Sequence, residues 1–328
     1  MLAQTLQQPV ARSGLRPFHP WRDLGQVADL VALAFADELS PIGQEIIAEM
    51  RRWAAWGPLL WLFSLPDPFM TGFVWEENGR IVGNLSLSLA NPSAGYWVIS
   101  NVAVHPTYRR RGIARELLEA ALELARAQGG RTVLLQVRAD NEAACQLYLG
   151  YGFTCYHTRV EMQRAADTAY VRATDEPPPQ WCKVRWRDRA VIRQLILAAT
   201  PAAVRQYQYS PEADFRGITG WSLDDWLGDL LAGKRTYWQF VPMASHAAAL
   251  LEAQRGPRYH RLAFLVHPEE RGKLEKAAVQ QGLWLLSGSP RRPILSSAPA
   301  SALEAIEALV VWGFAEVRRL DQMKLELV

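Results

Sequence analysis

A chain of 328 residues, 49% hydrophobic and 21% charged, has the length of two ordinary domains and the composition of a folded soluble protein, which excludes disorder as its default state. Its formal net charge of +3, without a long run of lysine and arginine, argues against nucleic acid or an anionic membrane as a partner. The opening MLAQTLQQPVARSG lacks the basic start and apolar run of a signal peptide, and GPLLWLFSLP at 57–66 is too short to cross a bilayer, so the protein is expected in the cytoplasm.

WRDLGQVADLVALAF from Trp21 has the apolar spacing of a first helix, and PIGQEIIAEMRRW from Pro41 that of a second. Trp53, Trp56, Trp61, Phe63 and Phe69 follow, aromatics that serve either a core or an apolar acceptor pocket. GFVWEENGRIVGNLSLSL, residues 72–89, is a hairpin turning at Asn78 and Gly79. Next, GYWVISNVAV, Gly95–Val104, is rich in aromatic and β-branched residues and stops at His105 and Pro106, as a strand does at a turn.

Arg109, Arg110 and Arg111 then run through Gly112 into a helix with an apolar face of Ile113, Leu117, Leu118, Ala121, Leu124 and Ala125, closed by Gly129 and Gly130. The unpaired N–H groups of its first turn and the positive end of its dipole favour an anion. Gly112 lets a phosphate come close to the backbone, the small Ala114 keeps the wall open, and the arginines add charge-assisted bonds. On these residues alone, a solvated basic loop before a helix is an equal reading. A further strand, TVLLQV at 132–137, leads to RADNEAACQLYLGYGF, a short helix and turn that carry Asn141, Ala144, Tyr148, Gly152 and Phe153, with Asn141 placed as the N-cap.

In this order and spacing, Gly95–Phe153 resembles the GNAT superfamily of N-acetyltransferases. The matching parts are a strand ending in Val102, Ala103 and Val104, the RxxGxA of Arg109, Gly112 and Ala114, and an N…A…Y…GF segment. The resemblance implies acetyl-CoA as co-substrate, its pyrophosphate on the backbone from Arg109 through Arg110, Arg111, Gly112 and Ile113 to Ala114. It further implies the pantetheine arm along Val102–Val104 between two splayed strands, Asn141 on the cofactor side, and Tyr148 as the acid that protonates the CoA sulfur. An amine then attacks the thioester carbonyl directly. Many relatives carry a glutamate on the strand before the loop, where this chain has Ile99, Ser100 and Asn101. No base is therefore assigned, and Glu76, Glu77, His157 and Glu161 are conceivable only through water.

Cys145, Cys155 and Cys182 form no CxxC or Cys/His pattern and read as small buried thiols. His19, His105, His157, His246, His260 and His267 are scattered without metal spacing, so no metal is expected.

The second half repeats the first. Trp21, Arg22 and Asp23 recur as Trp186, Arg187 and Asp188; VHP at 104–106 recurs at 266–268, and GF at 152–153 recurs at 313–314. Between the copies lies AADTAYVRATDEPPPQ, polar and proline-rich like an extended linker. Aligned on HP, Gly112 falls on Leu274 and Ala114 on Lys276; aligned on GF, Asn141 falls on Ala302 and Tyr148 on Leu309.

The expectation is an α/β (α+β) chain of two tandem GNAT folds, each a mixed, mostly antiparallel sheet flanked by helices. Residues 1–164 form the active domain, 165–180 the linker and 181–328 a degenerate copy. The expected protein is a monomer that is internally a pseudo-dimer and acetylates a small-molecule amine. The alternatives are acetylation of a protein N-terminus or lysine, and a CoA-sensing or scaffolding role without catalysis.

Overall fold

The computed structural model describes residues 13–35, 47, 48, 50, 51, 71–166, 168, 180–207 and 233–327. Of the helix expected from Pro41, Ile47, Ala48, Met50 and Arg51 are described and helical. The aromatics from Trp53 to Phe69 and most of the linker lie outside the described residues.

The chain forms two compact units, neither of them one continuous stretch. The first comprises Met1–Gln136, Tyr151–Phe153 and Lys324–Val328; the second comprises Val137–Gly150 and Thr154–Met323.

In the first unit, β1 (Gly14–Pro17), β2 (Thr71–Glu77), β3 (Arg80–Asn91) and β4 (Tyr96–Val104) pair antiparallel in that order, and β5 (Thr132–Arg138) joins β4 in parallel. The hairpin between β2 and β3 turns on Asn78 and Gly79, at φ 50° and 78°, the two positive values that a type I′ turn requires. Helix α1 (Pro20–Ala34) packs Val27, Leu30 and Val31 against Val74, Ile81 and Ala103. Helix α2 (Ile113–Ala127) buries Ile113, Leu117, Leu118, Ala121, Leu122 and Ala125, with Leu122 in the place that the spacing gave to Leu124. Each such leucine stabilises the fold by about 1.5–3 kcal/mol. A Cβ on Gly83 of β3 would lie 2.7 Å from Ile113 Cγ2, so the glycine is what lets the start of α2 settle onto the sheet.

The WRD triplet has a structural task. Asp23, fully buried, accepts from Arg16 Nη1 at 2.6 Å, Arg16 Nη2 at 3.0 Å and the His19 N–H at 2.8 Å, while Arg16 Nε reaches Glu76 at 2.6 Å. Burial pushes the Asp23 carboxyl up, but the bonds from Arg16, His19 and Arg22 outweigh it and hold the group below the usual carboxylate range. In the second copy Asp188 accepts from the Arg185 N–H at 2.8 Å, again fixing the chain where it enters a helix.

The second unit contains α3 (Glu142–Gly150), β6 (Thr154–Arg164), β7 (Cys182–Lys183), α4 (Arg189–Ala199), α5 (Ala202–Tyr207), β8 (Arg235–Pro242), β9 (Ala247–Arg255), β10 (His260–Val266), α6 (Glu275–Leu286), β11 (Ile294–Pro299), α7 (Leu303–Val311) and most of β12 (Phe314–Glu326). Its strands run β12-β6-β11-β10-β9-β8-β7, mixed and mostly antiparallel. β6 pairs with β11 over six residues, from Arg164↔Ile294 to Arg159↔Pro299, and its Val160 and Met162 enter a core with Leu251, Leu262, Leu283, Leu309 and Phe314. Compactness thus divides the chain differently from the sequence repeat. Residues 324–327, in turn, serve the first unit: Thr132 Oγ1 donates to the Glu326 carboxylate at 2.7 Å, and the Leu327 N–H donates to the Arg131 carbonyl at 2.7 Å.

The thiols are less buried than expected. Cys145 is half-buried, and Cys155 and Cys182 are exposed, because both of the latter lie on strand segments that face solvent. Among the described residues no helix is long and apolar enough to cross a membrane.

Candidate functional site

The ladder between β4 and β5 runs from Tyr96↔Thr132 to Ile99↔Leu135 and stops there. Just beyond, Asn101 adopts a left-handed φ of 52°, and the register of β4 on β3 slips, with Ser86 opposite Ser100 but Asn84 opposite Ala103. This is a β-bulge. Asn84, 1% exposed, holds it by donating Nδ2 to the Asn101 carbonyl at 2.8 Å. Ala103 and Val104 keep β3 on one edge but have no β5 partner on the other. The backbone of Val102–Val104 is therefore open to an extended ligand that pairs as a strand would.

The loop after β4 is built from its own backbone. The His105 N–H donates to the Val82 carbonyl at 2.8 Å, and its Nδ1 accepts from the Thr107 N–H at 3.3 Å, starting a 3-10 turn over Pro106–Tyr108. Arg109 donates Nε to the Val104 carbonyl at 3.3 Å, and the Arg111 guanidinium lies 4.8 Å from the Tyr108 ring centroid. Arg110 and Gly112 are both left-handed, at φ 65° and 83°. Alternation of this kind turns successive N–H groups toward one side and forms an anion-binding nest. Gly112 is the N-cap of α2, with no side-chain cap bond, and a Cβ there would meet nothing within 4 Å. Among the described residues, the first-turn amides, the helix dipole and three exposed arginines thus surround open space. Their chemistry fits a pyrophosphate.

The corresponding loop in the second unit differs. Arg271 matches Arg109 and Gly272, at φ 81°, matches Arg110, but the N-cap is Leu274 at φ −110° instead of a left-handed glycine. Leu274 packs toward Val241, Ala248, Ala249 and Val266. Glu269 and Glu270 replace Thr107 and Tyr108, with Glu270 paired to Lys273 at 3.1 Å, and a buried Glu275 opens the helix.

Asn141 and Tyr148 belong to the second unit. Asn141 Oδ1 accepts from the Ala144 N–H at 3.2 Å, the expected N-cap of α3. Tyr148 is 5% exposed; burial first and the Cys145 thiol second push its hydroxyl up to about 12, so it keeps its proton at neutral pH. Burial, then the charge of Arg159, lowers the His157 imidazole from its ordinary value. Glu76 is bound to Arg16 at 2.6 Å and Glu161 to Arg318 Nε at 2.7 Å, while Glu77 accepts from Trp75 Nε1 at 3.4 Å.

Within the first unit, then, the strand end Val102–Val104 and the loop Arg109–Ala114 stand together. Sequence reasoning missed Asn84 and the bulge. The available signal was Asn101, an asparagine inside the otherwise aromatic and β-branched strand β4.

A sequence model of the Acetyltransferase (GNAT) family matches residues 31–153. N-alpha-acetyltransferase RimI of Mycobacterium tuberculosis is 31% identical over 126 residues, covering 38% of this chain and 78% of that protein. Mycothiol acetyltransferase of Amycolatopsis mediterranei is 30% identical over 168 residues, 48% of this chain and 52% of that protein. [Ribosomal protein bS18]-alanine N-acetyltransferase of Escherichia coli is 45% identical over 81 residues, 25% of this chain and 53% of that protein, so the chain spans about half the length of these last two. Among solved structures, a tandem GNAT protein from the clavulanic acid biosynthesis pathway shares the fold with a TM-score of 0.63 at 19% identity, covering 96% of this chain and 98% of that one. A GCN5-related N-acetyltransferase from Sphaerobacter thermophilus gives 0.64 at 15% identity, covering 95% of each chain.

Proposed function

The chain belongs to the acetyltransferase (GNAT) family, whose co-substrate is acetyl-CoA, and from that premise we propose that it acetylates the amine of a small molecule in the cytoplasm. Residues 1–164 carry the reaction, and residues 181–328, beyond the linker, are a copy that does not bind the co-substrate. When bound, acetyl-CoA supplies an activated thioester. The amides from Arg109 to Ala114 and the guanidiniums of Arg109, Arg110 and Arg111 hold its pyrophosphate. Val102–Val104 pair with the pantetheine arm, and an N–H at that strand end polarises the carbonyl. Asn141 fixes the start of α3, and Tyr148 gives its proton to the departing thiolate. The attacking amine loses its proton to water, with no side chain named as base and no metal called upon.

One observation carries this reading: a left-handed, uncapped Gly112 facing open space among the described residues, in the loop that follows a strand parted from its neighbour. Mycothiol acetyltransferase among the relatives supports a small-molecule acceptor. Acetylation of a protein N-terminus is the second reading, favoured by the two relatives named for that activity. Calorimetry is expected to give one acetyl-CoA per chain, weakened more than about tenfold by Gly112→Leu, since a branched residue pays about 1–2 kcal/mol for the left-handed backbone and fills the cradle. Two equal sites, or unchanged affinity in the variant, would overturn it. CoA release measured across small amines and N-terminal peptides separates the two acceptors; binding without release from any of them would favour a sensor.

A further inference from the structure

The spacing of the histidines along the chain suggests no metal, but folding brings two of them together. His246, His267 and Glu269, all in the second unit, place one nitrogen from each imidazole and a carboxylate oxygen within 4.8 Å of one another. We propose that they bind one divalent transition ion of the zinc class, as a clamp between the β8–β9 turn and the loop that follows β10.

The backbone of each ligand is fixed without the metal. His246 closes the β8–β9 turn, where the Met243 N–H donates to its carbonyl at 2.9 Å; His267 is tied to β9 by its N–H on the Ala248 carbonyl at 2.8 Å. Glu269 sits in the 3-10 turn Pro268–Glu270. The two imidazoles face each other with centroids 4.2 Å apart and planes at 35°. His246 Nδ1 lies 3.2 Å from Ser245 Oγ, whereas its Nε2 is buried with no hydrogen-bond partner among the described residues. A proton on Nδ1, shared with the serine, leaves the lone pair on Nε2, as a ligating histidine requires. Buried polar atoms in folded proteins are otherwise nearly always satisfied. The Glu269 N–H approaches His267 Nδ1 only at 3.4 Å, a contact weak enough for a metal bond to replace.

Two nitrogens and one oxygen suit zinc, with water as the fourth ligand, and do not suit calcium or magnesium, which take oxygen. The half-buried histidines and exposed glutamate leave an approach for that water. Closing the three atoms into a tetrahedral shell with bonds of about 2.0–2.2 Å takes side-chain movements on the order of 1 Å.

The first half supplies the contrast. His105 there has the same backbone bond, to the Val82 carbonyl at 2.8 Å, but Thr107 stands where Glu269 does, and Arg80 stands at the register of His246. The cluster is not a by-product of the fold. It belongs to the copy whose loop has lost the features of an anion cradle, and it ties down that loop.

The test uses the full chain, stripped with a chelator and titrated with zinc chloride by calorimetry, with metal content measured after gel filtration. The expected result is one zinc per chain, a rise in Tm on addition, and weakening by more than about tenfold in His246→Ala and in Glu269→Gln, while His105→Ala binds zinc as the parent does. Circular dichroism of the stripped variants distinguishes a lost site from a lost fold, and His246→Gln decides the matter if another variant does not fold. No retained zinc, or zinc binding indifferent to the His246 and Glu269 variants, overturns the proposal.

Discussion

Tyr148 is a protonated phenol across the whole physiological range, because burial raises its hydroxyl to about 12. A raised phenol pKa keeps the acid form present up to the folded-state value and loses it only above. The proposed role therefore predicts no alkaline fall in kcat from Tyr148 below about pH 10. Tyr148→Phe is expected to lower kcat roughly 10²-fold with acetyl-CoA affinity kept, measured where chemistry limits the rate. An unchanged kcat would reduce the residue to packing. Residues whose type carries the chemistry were legible in the sequence: Gly112 for the close backbone approach that a glycine allows, Asn141 for its cap. His246 and Glu269 were not, because their meeting depends on a hairpin turn and a strand end separated along the chain.

Helices and strands announce themselves by period, so β2, β3, β4, α2 and β5 fall close to where the apolar spacing puts them. Irregularity within an element has no such signal. The bulge at Asn101 depends on a buried amide donated from Asn84, one strand away, and that bond parts β4 from its regular ladder. Asn84→Ala strands the Asn101 carbonyl at about 1–3 kcal/mol and lets the strand relax toward regular pairing. The expected outcome is a roughly tenfold higher KM for acetyl-CoA with a smaller change in kcat, in a protein that still folds. Steady-state kinetics on the variant will show it, and an unmoved KM would mean that neighbouring contacts hold the bulge alone.

At the scale of the molecule, the repeat correctly pairs VHP with VHP and GF with GF, but it is a local comparison and is blind to which strands pair. β6 stands in the first half of the sequence and pairs with β11, some 130 residues onward by the Arg164↔Ile294 register. A fragment of residues 1–170 contains the entire family match, yet it lacks β11 and the Glu326 and Leu327 bonds to Thr132 and Arg131. It is expected to expose the edge of β6 and associate, eluting as aggregate in gel filtration while the full chain runs as a single species. A soluble, monomeric fragment with unaltered acetyl-CoA affinity would contradict this.

The bonds from Glu326 and Leu327 also set a clock. A ribosome that has just added Thr132 must extend the chain through nearly all of the second copy before those partners exist, an interval of roughly 10–40 s at ordinary elongation rates. During it the half that bears the Arg109–Ala114 loop lacks both bonds. A message broken before Glu326 leaves Thr132 and Arg131 without these two partners, so residues made long afterwards certify the half made first.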